Sequence, residues 1–161
     1  HPTSFASDRF SAHYLTNIIG NPLDTTVAMH YLIFGGVLER YPDLKFVLSH
    51  GGAFAAAYAG RMDHAYGARP DCRENISMPP SYYLEKFYPD SLVFTIEQLQ
   101  YLINRFGADH VLIGTDYPFD MGEYDPVEHV YQVPGLSSAN RDLICGGNAL
   151  RLMHMTEEEC R

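Results

Sequence analysis

The stretch Lys45-Phe46-Val47-Leu48-Ser49-His50-Gly51-Gly52 constrains the fold of this chain more than any other. A short apolar run bounded by turn residues predicts a buried strand over 45–50, of the kind found in parallel sheets. His50 then stands at the C-terminal end of that strand, the end where α/β folds bind ligands. The two glycines let the backbone turn sharply and approach a ligand closely. Read alone, the stretch is equally a strand terminator capped by a histidine. Val111-Leu112-Ile113-Gly114-Thr115-Asp116-Tyr117-Pro118-Phe119 repeats the pattern. It carries Asp116 into a loop, and Pro118 stops the strand from continuing. Parallel strands of one sheet bring such an imidazole and such a carboxylate to the same edge. His1, followed by Pro2, is a third candidate. Imidazoles plus a carboxylate suit a divalent transition metal, zinc most often.

Helical patterns alternate with these strands. Residues 1–22 read as irregular, with Phe10, Tyr14, Ile18 and Ile19 able to line a short helix. A helix is predicted over 25–41, capped by Asp24 or Thr25 and ended by Pro42. Its apolar stripe is Val27, Tyr31, Phe34 and Leu38, widened by Met29, Leu32 and Ile33. The Gly35-Gly36 pair weakens that helix but permits close packing on a sheet. His30, inside it, reads as a core or interface residue. An alanine-rich helix follows near 53–65, then a proline-rich loop from 68 to 80 and a short helix over 81–87. A further strand is predicted at Ser91–Thr95 and a helix at Glu97–Phe106, terminated by Gly107. Helical segments near 126–131, 137–144 and 147–154 close the chain, and the last residues from Thr156 should fray. Alternation of this kind implies a parallel sheet with covering helices.

Composition narrows the function classes. A chain of 161 residues suffices for one domain with a real core. A net charge of −9 with no basic cluster argues against nucleic acid and anionic membranes as partners. No apolar run approaches a membrane span, and no charged-then-apolar leader is visible. Cys72, Cys145 and Cys160 form no metal-type pair, which fits reduced thiols in a cytoplasmic protein. A first residue other than Met suggests a chain cut from something longer.

An ordered set of motifs makes the reading more specific. His1-Pro2, Leu48-Ser49-His50-Gly51-Gly52 and Gly114-Thr115-Asp116-Tyr117-Pro118-Phe119 resemble the amidohydrolase-related (amidohydrolase 2) decarboxylases, the aminocarboxymuconate-semialdehyde decarboxylases among them. Gly35–Lys45, Gly60-Arg61-Met62-Asp63-His64 and Gly146-Gly147-Asn148-Ala149-Leu150 fit the same family. The resemblance covers nearly the whole chain. It implies an α/β fold, the C-terminal portion of a metal-dependent-hydrolase (β/α)8 TIM-type barrel, as one domain over residues 1–161. Such barrels typically need about 250 residues. The family's metal is held by a His-x-His pair on the first strand, a His-Pro histidine and an aspartate. His1 and Asp116 match the last two, and the His-x-His pair has no counterpart here. His50 matches the acid–base histidine, with Asp116 as a possible proton partner. Arg61 matches an arginine that reaches a neighbouring subunit's site, which implies a homodimer. The chain departs from the family in having Ala53 where a third glycine often stands. The segment after His1 is also shorter and lacks tryptophan, with Tyr14 as a possible replacement for an aromatic there.

The implied chemistry is metal-dependent decarboxylation of a small unsaturated or aromatic carboxylate, without an organic cofactor. A divalent metal, zinc first, lowers the pKa of bound water and polarises a substrate oxygen. His50 helps deprotonate the metal-bound water or relays its proton. Phe119 packs against a planar substrate or, equally, is a loop aromatic covering the core. Arg61 lies eleven residues past His50. Helical rise over eight or so of these carries it roughly 12 Å away, too far for a contribution within one chain. Read without the family, it is a charge near a helix C-terminus. Two alternatives stay open: a hydrolase or hydratase of the same superfamily, and an inactive truncated barrel fragment. Residues 1–161 alone are expected to hold metal weakly and to self-associate through uncovered strand edges.

Overall fold

The structure, a computed structural model, describes residues 7–160 and divides into two compact units. The candidate ligand His1 lies outside the described residues.

The first unit, residues 1–46 and 52–86, has helices and turns as its described regular elements. A 3-10 turn at Ser7–Phe10 and a π turn at Thr16–Gly20 lead directly into α1 (Asn21–Phe34). Helix α1 therefore starts earlier than predicted. Pro22 is accommodated in its first turn, where no intrahelical N–H is needed, and Asp24 sits beside the N-terminal dipole rather than at the cap. The Gly35-Gly36 pair splits the predicted helix, because Gly36 has φ 69° and α2 (Val37–Arg40) begins after it. The close approach at this glycine is to a loop rather than a sheet: a Cβ on Gly36 would lie 2.3 Å from the Asn75 carbonyl oxygen. The predicted stripe is buried only in part. Met29, Ile33 and Leu38 are buried, whereas Tyr31 is 73% exposed and Val27 39%. His30 is exposed rather than in a core, with its ring 4.3 Å from that of Phe34. Helix α3 (Ala55–Ala68) packs Ala55, Ala56, Ala59 and Met62 inward, and α4 (Pro80–Leu84) adds Tyr83 and Leu84. Each large apolar side chain so buried stabilises the unit by about 1.5–3 kcal/mol.

The second unit, residues 47–51 and 87–161, holds the sheet. Strand β1 (Val47–Leu48) pairs in parallel with β2 (Tyr88–Pro89), and a parallel bridge joins Asp90 to Leu112. The Asp90 N–H donates to the Leu48 carbonyl at 3.0 Å, and the Leu112 N–H donates to the Pro89 carbonyl at 2.9 Å. Pro89, which has no N–H to give, thus serves the ladder through its carbonyl alone.

The strand predicted at Ser91–Thr95 is instead irregular, and the real strand lies just before it. Thr95 caps α5 (Ile96–Phe106) by accepting the Gln98 N–H, and Leu99, Leu102 and Phe106 are buried on its inner face. Gly107, at φ 89°, ends the helix. Helices α6 (Pro126–Tyr131), α7 (Ser138–Asp142) and α8 (Asn148–Met153) follow, with a π turn at Leu143–Gly147. The tail forms a 3-10 turn at Glu158–Cys160, and Glu159 accepts from the Thr156 N–H.

Candidate active site

Three chain segments leave the parallel ladder at its carboxyl edge. After β1 comes His50, after β2 comes Asp90, and four residues beyond Leu112 comes Asp116. The segment carrying Asp90 lies between the other two. His50, Asp90 and Asp116 are all half-buried.

The backbone is unusual at both residues the sequence singled out. His50 has φ 60° and begins a run of left-handed residues continued by Gly51 at 60°, Gly52 at 70° and Ala53 at 54°. Asp116 has φ 54°. For residues with a Cβ such conformations cost about 1–3 kcal/mol each, and they persist where surrounding contacts hold them. At Asp116 the holding contacts are visible. The Tyr117 N–H donates to Thr115 Oγ1 at 3.2 Å, and the Phe119 N–H donates to the Asp116 carbonyl at 2.9 Å. The Glu123 N–H closes the loop onto the Thr115 carbonyl at 2.8 Å. The Tyr117–Pro118 peptide bond within it is cis. Phe119, in the same loop, is 61% exposed.

At His50 the holding group is Asp90. One of its carboxylate oxygens, Oδ1, accepts the Gly51 N–H at 2.7 Å and the Leu92 N–H at 3.2 Å. Burial pushes the Asp90 carboxyl up, against these donors and the nearby charge and backbone N–H of His50, all of which favour the carboxylate. Asp90 also packs against the segment leading to Asp116. A Cβ on Gly114 would lie 2.8 Å from Asp90 Cβ and 3.2 Å from Oδ2. The Gly114 N–H donates to Ser91 Oγ at 3.1 Å.

A strand over Ser91–Thr95 would start after Asp90, whereas the observed strand, Tyr88–Pro89, ends just before it. The Phe87-Tyr88 pair before Pro89 was the available signal for the true register.

Arg61 and Tyr14 belong to the other unit. Arg61 is exposed on α3 and lines a cavity of about 500 Å³ with Leu23, Thr26, His30, Tyr58 and Met62. Tyr14 is 51% exposed, and Asn17 Nδ2 donates to its hydroxyl at 3.5 Å.

Among the described residues no group of three or more His, Cys, Asp or Glu side chains is arranged to hold an ion. A catalytic zinc normally takes three protein ligands. The described residues do not by themselves make a metal centre.

Residues 10–154 match the model of the amidohydrolase family. The chain belongs to that family. It is 37% identical to a 2-amino-3-carboxymuconate-6-semialdehyde decarboxylase of Dictyostelium discoideum over 155 residues, which is 95% of this chain and 43% of the relative. Among solved structures, it matches 5-carboxyvanillate decarboxylase from Sphingomonas paucimobilis with a TM-score of 0.82 and 25% identity, covering 94% of this chain and 46% of that one. A dihydroxybenzoic acid decarboxylase from Polaromonas, solved with bound manganese and an inhibitor, matches at 24% identity and a TM-score of 0.77, over 93% and 47% of the two chains. The chain thus spans less than half the length of these amidohydrolase relatives, and its fold is part of their α/β barrel.

Proposed function

We propose that this chain supplies the C-terminal half of the barrel, as a single amidohydrolase-related domain, to a metal-dependent, non-oxidative decarboxylase of a small unsaturated or aromatic carboxylate. The observation carrying this reading is the parallel ladder that places His50 and Asp116 beyond its carboxyl edge, with Asp90 between their segments. The names of the relatives support the reaction class.

Asp116 is the described candidate ligand. Its partners are sought outside the described residues, in His1 and in a His-x-His pair on a first strand. The metal is divalent, with zinc the first candidate and the manganese of the Polaromonas neighbour the second. When bound it supplies a Lewis acid for a substrate oxygen. The chain's own residues do the rest. His50 gives a proton to the carbon bearing the carboxylate. The bond from that carbon to the carboxylate then breaks, its electron pair returns to the conjugated system, and carbon dioxide leaves. Phe119 offers an aromatic face to a planar substrate. Arg61, exposed and poised at a cavity, forks onto a carboxylate in the partner subunit's site of a homodimer. The free thiols Cys72, Cys145 and Cys160 support a cytoplasmic setting.

A second reading, a barrel fragment without activity, is favoured by the lack of a three-donor cluster among the described residues. A hydrolase or hydratase differs in its product. Incubation with a carboxyl-labelled acid separates all three: labelled carbon dioxide supports the decarboxylase, hydrolysed or hydrated product with label retained supports the hydrolase or hydratase, and unchanged acid supports the inactive fragment.

A further inference from the structure

Asp90 is a half-buried carboxylate that neither the proton transfer nor the ligand set uses. It is fastened on two sides. Its Oδ1 accepts the Gly51 N–H at 2.7 Å, inside the left-handed run that begins at His50. Its Cβ and Oδ2 lie so close to Gly114 that a methyl there would fall 2.8 Å and 3.2 Å from them. Gly51 is equally enclosed, since a Cβ on it would lie 2.3 Å from Val93 Cγ1. The turn carrying His50 is therefore tied to β2 and, through Gly114, rests on the segment that carries Asp116.

We infer that Asp90 is a positioning residue whose carboxylate fixes the His50-Gly51-Gly52 turn, so that the His50 imidazole faces the reacting carbon in one orientation. The inference rests on the reading of His50 as the proton donor. A carboxylate suits the task because a charge-assisted hydrogen bond to a backbone N–H is roughly twice as strong as a neutral one. Residues holding a reacting group matter because a displacement of 1 Å can cost on the order of 100-fold in rate.

The test is a double-mutant cycle in the full-length, metal-loaded enzyme. Asp90→Asn keeps the shape and the Oδ1 acceptor but removes the charge. It is expected to lower kcat about 10-fold with KM within about 2-fold. Asp90→Ala is expected to lower kcat on the order of 100-fold. In a His50→Asn background, Asp90→Asn is expected to cost nothing further, because its effect passes through the imidazole. The Gly51 amide proton, followed by NMR, should move upfield in Asp90→Asn, a readout independent of turnover. Equal losses in both backgrounds, or an unchanged kcat and Gly51 amide in Asp90→Asn, would overturn the inference. Full activity in His50→Asn alone would overturn the underlying reading of His50 instead. If Asp90→Ala fails to fold, the Asp90→Asn arms still decide.

Discussion

Replacing Asn148 with alanine removes one buried amide that ties α8 to the segment leading into the site. Asn148 is fully buried. Its Nδ2 donates to the Ala108 carbonyl at 2.8 Å and to the Val111 carbonyl at 2.7 Å, and its Oδ1 accepts from Arg151 at 3.2 Å. Each ordinary hydrogen bond contributes a net of about 1 kcal/mol, but a buried partner left unpaired costs about 1–3 kcal/mol. The Val111 bond is buried and Val111 itself is fully buried, so water cannot readily replace the lost donor. Arg151 is exposed and recovers its partner from solvent. The expected loss is about 2–4 kcal/mol, dominated by the two orphaned carbonyls. Urea unfolding of wild type and Asn148→Ala measures it, as a lower midpoint at unchanged slope. A loss below about 0.5 kcal/mol, the size of an ordinary surface substitution, would refute the reasoning.

Other expectations follow from the same geometry. Gly36→Ala must place a Cβ 2.3 Å from the Asn75 carbonyl at φ 69°, so thermal unfolding should show a loss of at least about 1–3 kcal/mol, the cost of the strained backbone alone. The Glu39 carboxyl is held below its ordinary range first by the Tyr83 hydroxyl and then by Ser77. A depressed folded-state pKa stabilises above the unfolded-state value near 4.5 and is lost as pH falls through the folded one, so Glu39→Gln should flatten the stability–pH curve below that value. In a dimer, Arg61→Ala should weaken binding of an acidic substrate at unchanged metal content. Mixing it with His50→Ala should restore some activity, and no recovery after demonstrated subunit exchange would count against action across subunits. Residues 1–161 alone should lose bound metal on dialysis, and one tightly retained ion per chain would contradict the two-ligand account.

Where the sequence was legible, a local rule and the packing agreed. Helix α5 carries Leu99, Leu102 and Phe106 at helical spacing and has Gly107 at its end, and the helix lies where that pattern put it. The helical segment predicted near 126–131 is α6, Pro126–Tyr131. The failures have tertiary causes. Nothing local to Gly36 reveals that Asn75 closes over it, so the helix break was invisible. The strand predicted over 45–50 shortens to Val47–Leu48, because His50 already turns left-handed. Beyond Leu112, the Ile113 N–H bonds to the Ile144 carbonyl in the π turn. The apolar run at Leu92-Val93-Phe94 reads as a strand, whereas the ladder runs through Tyr88–Pro89. That one shift in register hid Asp90, whose role depends on being at the carboxyl edge.

The proposed reaction has His50 protonate the carbon before carbon dioxide departs. It is tested most directly by following release of labelled carbon dioxide from a carboxyl-labelled aminocarboxymuconate semialdehyde, using the metal-loaded enzyme and its His50→Asn variant. The account predicts stoichiometric release by the wild type and a loss of about 100- to 10,000-fold in the variant at unchanged metal content. Full-rate release by His50→Asn would contradict it.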